Sequence, residues 1–464
     1  MGYNLLPSDR DQSYLMPPSL REWLPEGDLA WSVLDAVEQM DLSECYARYR
    51  TDGWGAAAYD PTMMVALLLY ASCRGVRSSR QIAQALERDV AFRVVAANQQ
   101  PDFRTICRFR AEHQVALEQL FVQVLQLCWK AGLVKLGVVA LDGTKVAANA
   151  ALAANRTHRA LEEEVRRMLE DAKQTDAAED ARYGADRRGD EPPDGLGRRM
   201  ERLERFRQAK ERLEREAAIE AEAAHARQKQ RETEEAATGR KKRGRKPKPV
   251  ASEPTPEAKA NPTDPDSRIM KTQQGYVQGY NVQAAVSEDQ VILAIAVTQE
   301  ANDVRQLVPM LRRVNVTMAA AGIGPRPWAA LADAGYWSEA NILTAADRGD
   351  LPELFVATTK DGKQRKALRE RGSPRGRIPK GLSPRDRMER KLLTKRGRGL
   401  YQRRSQTVEP VFGQMKDVQG FRRCLRRGKA AVEGEAVLVG TCHNLLKLWR
   451  RQRMRELWTA MHRN

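Results

Sequence analysis

LVKLGVVALDGTK, residues 133–145, is a short Val/Leu-rich run closed by an Asp-Gly pair. Its length, its β-branched content and the turn-forming dipeptide predict a strand over 133–141. Asp142 then stands at the strand's end. Burying an unpaired carboxylate is costly, so an acid there is a poor core residue unless it has a partner or a task. The plainer reading is that Asp142 simply opens an Asp-Gly turn.

Similar runs follow downstream. Strands are predicted at 276–286 (YVQGYNVQAAV), 290–298 (QVILAIAVT), 328–333 and 353–358 (ELFVAT), with a helix over 303–314. Strands that come first and then alternate with helices indicate an α/β fold, a sheet flanked by helices. A second acid, Asp333, ends the strand WAALAD, where it could equally cap the next helix.

Upstream of the first strand the pattern is helical. Residues 1–30 are irregular and Pro-rich; Leu29, Val33, Leu34, Val37 and Met40 then recur at helical spacing. Asp60-Pro61 reads as an N-cap followed by Pro at the first helical position, opening a buried helix over Met63–Ala71. Ser78 with Gln81 fits a capping box for a helix through Leu86. Two more helices are expected at 102–112 and 114–131. The Ser78 helix and the one after it can form a helix-turn-helix offering Arg104, Arg108 and Arg110 to DNA. A plain bundle with solvated arginines fits the same residues.

Between the first and second strands, residues 159–240 are dense in Glu, Arg and Ala. Leu161, Val165, Met168 and Leu169 make one helical stripe, and Met200, Leu203, Phe206 and Leu213 another. A helical hairpin or coiled-coil arm is expected, followed by a disordered linker over 239–266. Within that linker Asp264 and Asp266 are rival acids, although their Asp-Pro-Asp setting favours a turn. The organisation expected is a helical domain over 1–131 and the first part of an α/β core over 132–158. An inserted arm and linker (159–266), the rest of the core (267–430) and a C-terminal helix (431–464) complete it.

Composition narrows the partners. The chain has 464 residues and a formal net charge of +18, with 17 Lys/Arg against 4 Asp/Glu between 361 and 405. Solvated surfaces usually mix signs, so such a block points to a polyanion. The six cysteines are scattered without a Cys-x-x-Cys pair, which argues against a zinc ribbon or disulfide framework. No leader and no apolar run of membrane-spanning length is read, so a soluble cytosolic protein with no membrane partner is expected.

The same residues exclude several DNA-rearranging chemistries. The five histidines form no His-x-His pair, which argues against a metal-dependent relaxase. Tyr401 lacks the Arg-His-Arg cluster that a tyrosine recombinase needs. No Gly-x-x-x-x-Gly-Lys-Ser/Thr loop appears, so no nucleotide cofactor is implied. Carboxylates remain, and hydrolysis of a phosphodiester by two hard metal ions needs only carboxylates and water. Glu409, in RRSQTVEPVFGQMK, is the third candidate; Pro410 beside it suits a helix's first turn and would place Glu409 at the helix start.

These motifs resemble the DDE transposases of bacterial insertion sequences. The resemblance rests on Asp142–Lys145 (DGTK), on Asp333–Tyr336 (DAGY), and on Tyr401, Arg404, Glu409 and Lys416. The last four read Tyr-x2-Arg-x4-Glu-x6-Lys, one residue longer between Arg and Glu than the family's usual signature. The helical front and the TDPDSR…GYNVQ segment are also similar, so the likeness spans most of 15–449. It implies a ribonuclease-H-like mixed sheet in which Asp142, Asp333 and Glu409 hold two Mg2+ ions, or Mn2+ in their place. It further implies that Tyr401, Arg404 and Lys416 lie near the double-stranded DNA of transposon ends and target. A homodimer or larger synaptic assembly is implied, mediated by the arm or the C-terminal helix, in a bacterial, nucleoid-associated setting. GRKKRGRKPKP (239–249) contains Arg243 and Arg245 in an AT-hook-like Arg-Gly-Arg, which a generic basic linker would also explain. Two alternatives stay open: a non-catalytic DNA-binding protein derived from such an enzyme, and a structure-specific metal-dependent nuclease.

Overall fold

The computed structural model describes residues 19–50, 57–183, 196–239, 250–347, 349–359 and 381–461, with short pieces between 361 and 379. Before the first strand come α1 (Leu29–Glu38), α2 (Ser43–Tyr46), α3 (Pro61–Cys73), α4 (Ser79–Arg88), α5 (Val90–Val95), α6 (Phe103–Glu112) and α7 (Gln114–Lys130). Asp28, Asp60, Asp89 and Asp102 each accept from a first-turn N–H that has no intrahelical partner. α3 is apolar on almost every side and is buried along nearly its whole length, the mark of a core helix.

Two local expectations fail here. Ser78 occupies the N-cap of α4, but its side chain makes no capping bond, so the box with Gln81 does not form. The turn is tied down instead by buried Arg77, which donates to Glu435 and to the Gly420 and Arg423 carbonyls. The stretch after α4 contains α5, so α4 and α6 pack together without the single direct turn of the expected motif.

The sheet contains β1 (Val138–Ala147), followed by a small ribbon of β2 (Arg156–Thr157) and β3 (Lys259–Ala260) that brackets the insertion. The insertion consists of α8 (His158–Tyr183) and α9 (Leu196–Thr238), which pack on each other. The chain continues through β4 (Arg268–Thr272), β5 (Gly275–Ser287), β6 (Ile292–Thr298), α10 (Leu307–Ala320), β7 (Ala329–Ala332), α11 (Glu339–Ala346) and β8 (Glu353–Val356). It ends in α12 (Pro384–Leu393), α13 (Lys395–Gly413) and α14 (Lys429–Met461). The strand order is β4-β5-β1-β7-β8, with β6 also on β5. β5 runs against β1, β4 and β6, whereas β1, β7 and β8 run together, giving a mixed α/β architecture.

β1 begins and ends later than its hydrophobicity predicts. Asp142 pairs with Ala284 and Gly143 with Gln283, so the Asp-Gly pair lies inside the strand and makes no turn. The long partner β5 carries the ladder onward, but β7 stops at Ala332, opposite Leu141. Asp142 is therefore the first residue of β1 beyond its parallel neighbour. Alternation puts Asp142 and Thr144 on the face of Ala140 and Val146, where Val408, Val411 and Phe412 of α13 pack. Gly143 and Lys145 lie on the opposite face.

Three further expectations are corrected. The segment 250–266 is not a disordered linker: Ala260, Asn261 and Asp264 are buried, and Arg212 of α9 donates to the Pro265, Ser267 and Lys259 carbonyls. Asp264 accepts from Tyr280 and from the Gly428 N–H, and Asp266 from the Lys429 N–H, so both anchor this segment. In the arm, Leu161, Leu203 and Leu213 are buried with Ala209, but Met200 faces solvent. From Val432 to Leu448 α14 is largely buried, packed on α7, α3 and β6, so that stretch is core, not a surface for assembly. Among the described residues no helix is long and apolar enough to cross a membrane.

Candidate active site

Asp142 Oδ1 accepts from the N–H of Gly143 at 2.8 Å, and its Oδ2 accepts from Arg404 Nη1 at 3.1 Å. Burial pushes its pKa up from 3.8 to about 6; the Arg404 guanidinium pulls the other way and the Asp333 charge adds to the rise. Asp333 follows directly on β7. Its Oδ1 accepts from Gly335 N at 2.7 Å and its carbonyl from Tyr336 N, making a tight turn at the strand end.

Glu409 comes from the helix covering this face. It is 58% exposed, and its Oε1 lies 3.4 Å from Nη2 of Arg404. Arg404 thus bridges Asp142 and Glu409 with one guanidinium that is itself only 16% exposed. Residues five apart are not neighbours on a helix face, so the length of the arginine side chain makes this contact.

Glu409 is not at a helix start. α13 has already run from Lys395, and Pro410 sits inside it. Proline there removes a bond to the Gln406 carbonyl, four residues back. The Gln290 side chain supplies the missing donor at 2.9 Å, so a long-range contact lets the helix continue. α13 then passes into a π-helical turn, Gln414–Val418. In that turn Lys416 is half-buried and donates to Thr144 Oγ1, two residues along β1 from Asp142. Burial pulls its pKa down, and nearby Arg422 adds to this.

The remaining candidates are dispersed. Tyr401 is half-buried one helical turn before Arg404. Arg104 and Arg108 are exposed on α6, with Arg104 5.8 Å from the centre of the Phe103 ring. Arg110, expected beside them, is buried and donates to the Arg77 carbonyl, so it offers nothing to DNA. Arg243 and Arg245 lie outside the described residues. In the basic stretch, Lys391 and Arg396 converge on Glu353.

One acid was missed in the sequence. Asp303 lies in the turn before α10 and accepts from Asn281 and Gln283. The signal available was buried-strand amides: Asn281 and Gln283, at i and i+2 in β5, need polar partners. Among the described residues no three His, Cys, Asp or Glu side chains stand close enough to hold a metal; Arg404 occupies the space between Asp142 and Glu409.

Two family models match the chain. Residues 18–112 match a transposase domain (DUF772), and residues 378–449 match a transposase DDE domain. The second match contains Tyr401, Arg404, Glu409 and Lys416; Asp142 and Asp333 lie outside both. Comparison with curated proteins and with solved structures gives no match.

Proposed function

The two matched domains support a DDE transposase of an insertion sequence, and we propose that this chain binds the terminal inverted repeats of its element. It would cut phosphodiester bonds there and join the freed 3′-OH ends to target DNA. The observation that carries the reading is Asp142, a buried carboxylate on β1 that feels the charge of Asp333 and is joined through Arg404 to Glu409. The strand directions, with β5 antiparallel beside parallel β1, β7 and β8, support a ribonuclease-H-like core. The paired α8 and α9 are read as a coiled-coil-like arm available for assembly of two copies on paired ends.

The donor chemistry suits a hard divalent cation once Arg404 leaves the space between Asp142 and Glu409. Asp142, Asp333 and Glu409 offer carboxylate oxygens, the ligands that Mg2+ prefers and Mn2+ accepts. A buried carboxylate beside a second like charge is stabilised by an added cation. When bound, such ions supply Lewis acidity and activation of the attacking oxygen. The protein's own residues hold the geometry. Asp142 and Asp333 are fixed at strand level without ordering a long loop. Arg404, on releasing Glu409, can turn to a phosphate, and Lys416 stands on the same face of β1. The basic surface supplies salt-dependent affinity for the DNA backbone.

Asp142→Asn tests this reading. It should abolish Mg2+-dependent cutting of DNA carrying the element's ends while gel-shift binding of those ends persists. Continued cutting by the variant would remove Asp142 from the site. Wild-type protein that binds ends but never cuts would support a non-catalytic DNA-binding protein, and equal cutting of random duplex a structure-specific nuclease.

A further inference from the structure

Asp303 approaches the strand ends from the face opposite Asp142. Its Oδ1 accepts from Asn281 Nδ2 and Gln283 Nε2, both at 2.7 Å, and Lys145 Nζ lies 3.6 Å away. Asn281 and Gln283 are fully buried on β5, directly opposite Lys145 and Gly143 in register. This contact exists because residue 143 has no side chain. A Cβ there would stand 2.2 Å from Gln283 Nε2 and 2.6 Å from Asp303 Oδ1. The glycine is required by close approach, since its backbone is ordinary strand.

The far end of this network reaches Asp333. Gln283 Oε1 accepts from the hydroxyl of Tyr336, a fully buried side chain. The Tyr336 N–H bonds the Asp333 carbonyl, closing the turn that carries the carboxylate. Asp303 Oδ2 and Asp333 Oδ1 also close on one point: a Cβ on Gly335 would meet them at 3.2 and 2.8 Å. The Gln283 amide has one orientation open to it, with its N–H toward the carboxylate and its oxygen toward the hydroxyl. An acceptor oxygen at 303 sets that orientation.

We infer that Asp303 is a positioning residue for the carboxylate site, acting through Gln283 and Tyr336 to fix the turn that presents Asp333. This rests on the proposed metal-binding reading of Asp142, Asp333 and Glu409. Groups that orient metal ligands typically change metal affinity or activity by about 10–100-fold when removed.

The test uses the full chain, with Mn2+ binding followed by electron paramagnetic resonance and end cleavage measured in parallel. Asp303→Ala should weaken Mn2+ binding and lower the cleavage rate by about 10–100-fold, leaving the apparent KM for DNA unchanged. Asp303→Asn should recover most of both, because its amide oxygen still accepts from Asn281 and Gln283. Tyr336→Phe, which removes only a hydroxyl, should weaken Mn2+ binding in the same direction, and an unaltered affinity there would overturn the relay. So would Asp303→Ala indistinguishable from wild type. If Asp303→Asn is as defective as Asp303→Ala, the charge itself is needed and Asp303 is a ligand, which also overturns a positioning role. Wild-type protein that takes up no Mn2+ would sink the metal reading, and this inference with it.

Discussion

Asp142 should weaken the metal-free protein at neutral pH. Burial, with Asp333 adding and Arg404 only partly offsetting, holds its pKa at about 6 in the folded state. In the unfolded chain the same carboxylate ionises near pH ~3.9. Below that pH it is protonated in both states and costs nothing. As pH rises from about 4 to 6 the unfolded chain releases the proton first, so the folded state loses ground; above about 6 the loss is complete. A pKa difference of this size corresponds to about 3 kcal/mol, which some solvent screening reduces, since the side chain is 22% exposed. Asp142→Asn in a chelator at pH 8 should therefore be more stable than wild type by about 2–3 kcal/mol. The advantage should disappear near pH 4. Urea unfolding followed by tryptophan fluorescence at matched pH measures this, with Mg2+ expected to stabilise wild type at pH 8 and not the variant. A variant no more stable than wild type at pH 8, or an advantage that persists at pH 4, would refute the reasoning.

Two further outcomes follow from other parts of the molecule. Glu435 is buried against Arg77, with side chains 1% and 7% exposed, so Glu435→Ala should cost about 3–5 kcal/mol in the same urea assay by stranding the guanidinium; a loss below 1 kcal/mol would mean that the Gly420 and Arg423 carbonyls alone satisfy it. Arg104→Ala and Arg108→Ala should each flatten the salt dependence of end binding by about one unit of slope; an unchanged slope for both would take α6 away from the phosphates.

What the sequence revealed depended on how local the cause was. The helix start at Asp60 was legible because an N-cap acts within three residues of itself. The extent of β1 was not, because it is set by a partner strand more than a hundred residues away. The same holds for Pro410: the local rule puts proline in a first turn, and only Gln290 from the sheet makes it tolerable inside α13. Segment 250–266 has the composition of a linker, yet Arg212 on α9 satisfies its backbone. Asp303 gave no motif at all, since its partners lie on β5 and its steric permission comes from Gly143 on β1.

The Glu409–Lys416 spacing illustrates how a change in the backbone reorganises a local pattern. On an unbroken helix Glu409 and Lys416, two turns apart, would share one face. The π-helical turn widens the backbone before Lys416, which reaches Thr144 on β1 while Glu409 stays exposed. Two cations then flank Asp142: Arg404 bonds it directly, and Lys416 stands two residues along the same strand face. Against them stand three carboxylates, Asp142, Asp333 and Glu409, so this pocket is short of positive charge within a chain of net charge +18. Burial is the main cause of the raised pKa of Asp142; Arg404 only partly offsets it, and Asp333 adds to the rise. The basic excess therefore lies outside the pocket. A partner suited to both regions would bring a cation to the carboxylates and a polyanion to the surface, which is what metal-dependent chemistry on DNA requires.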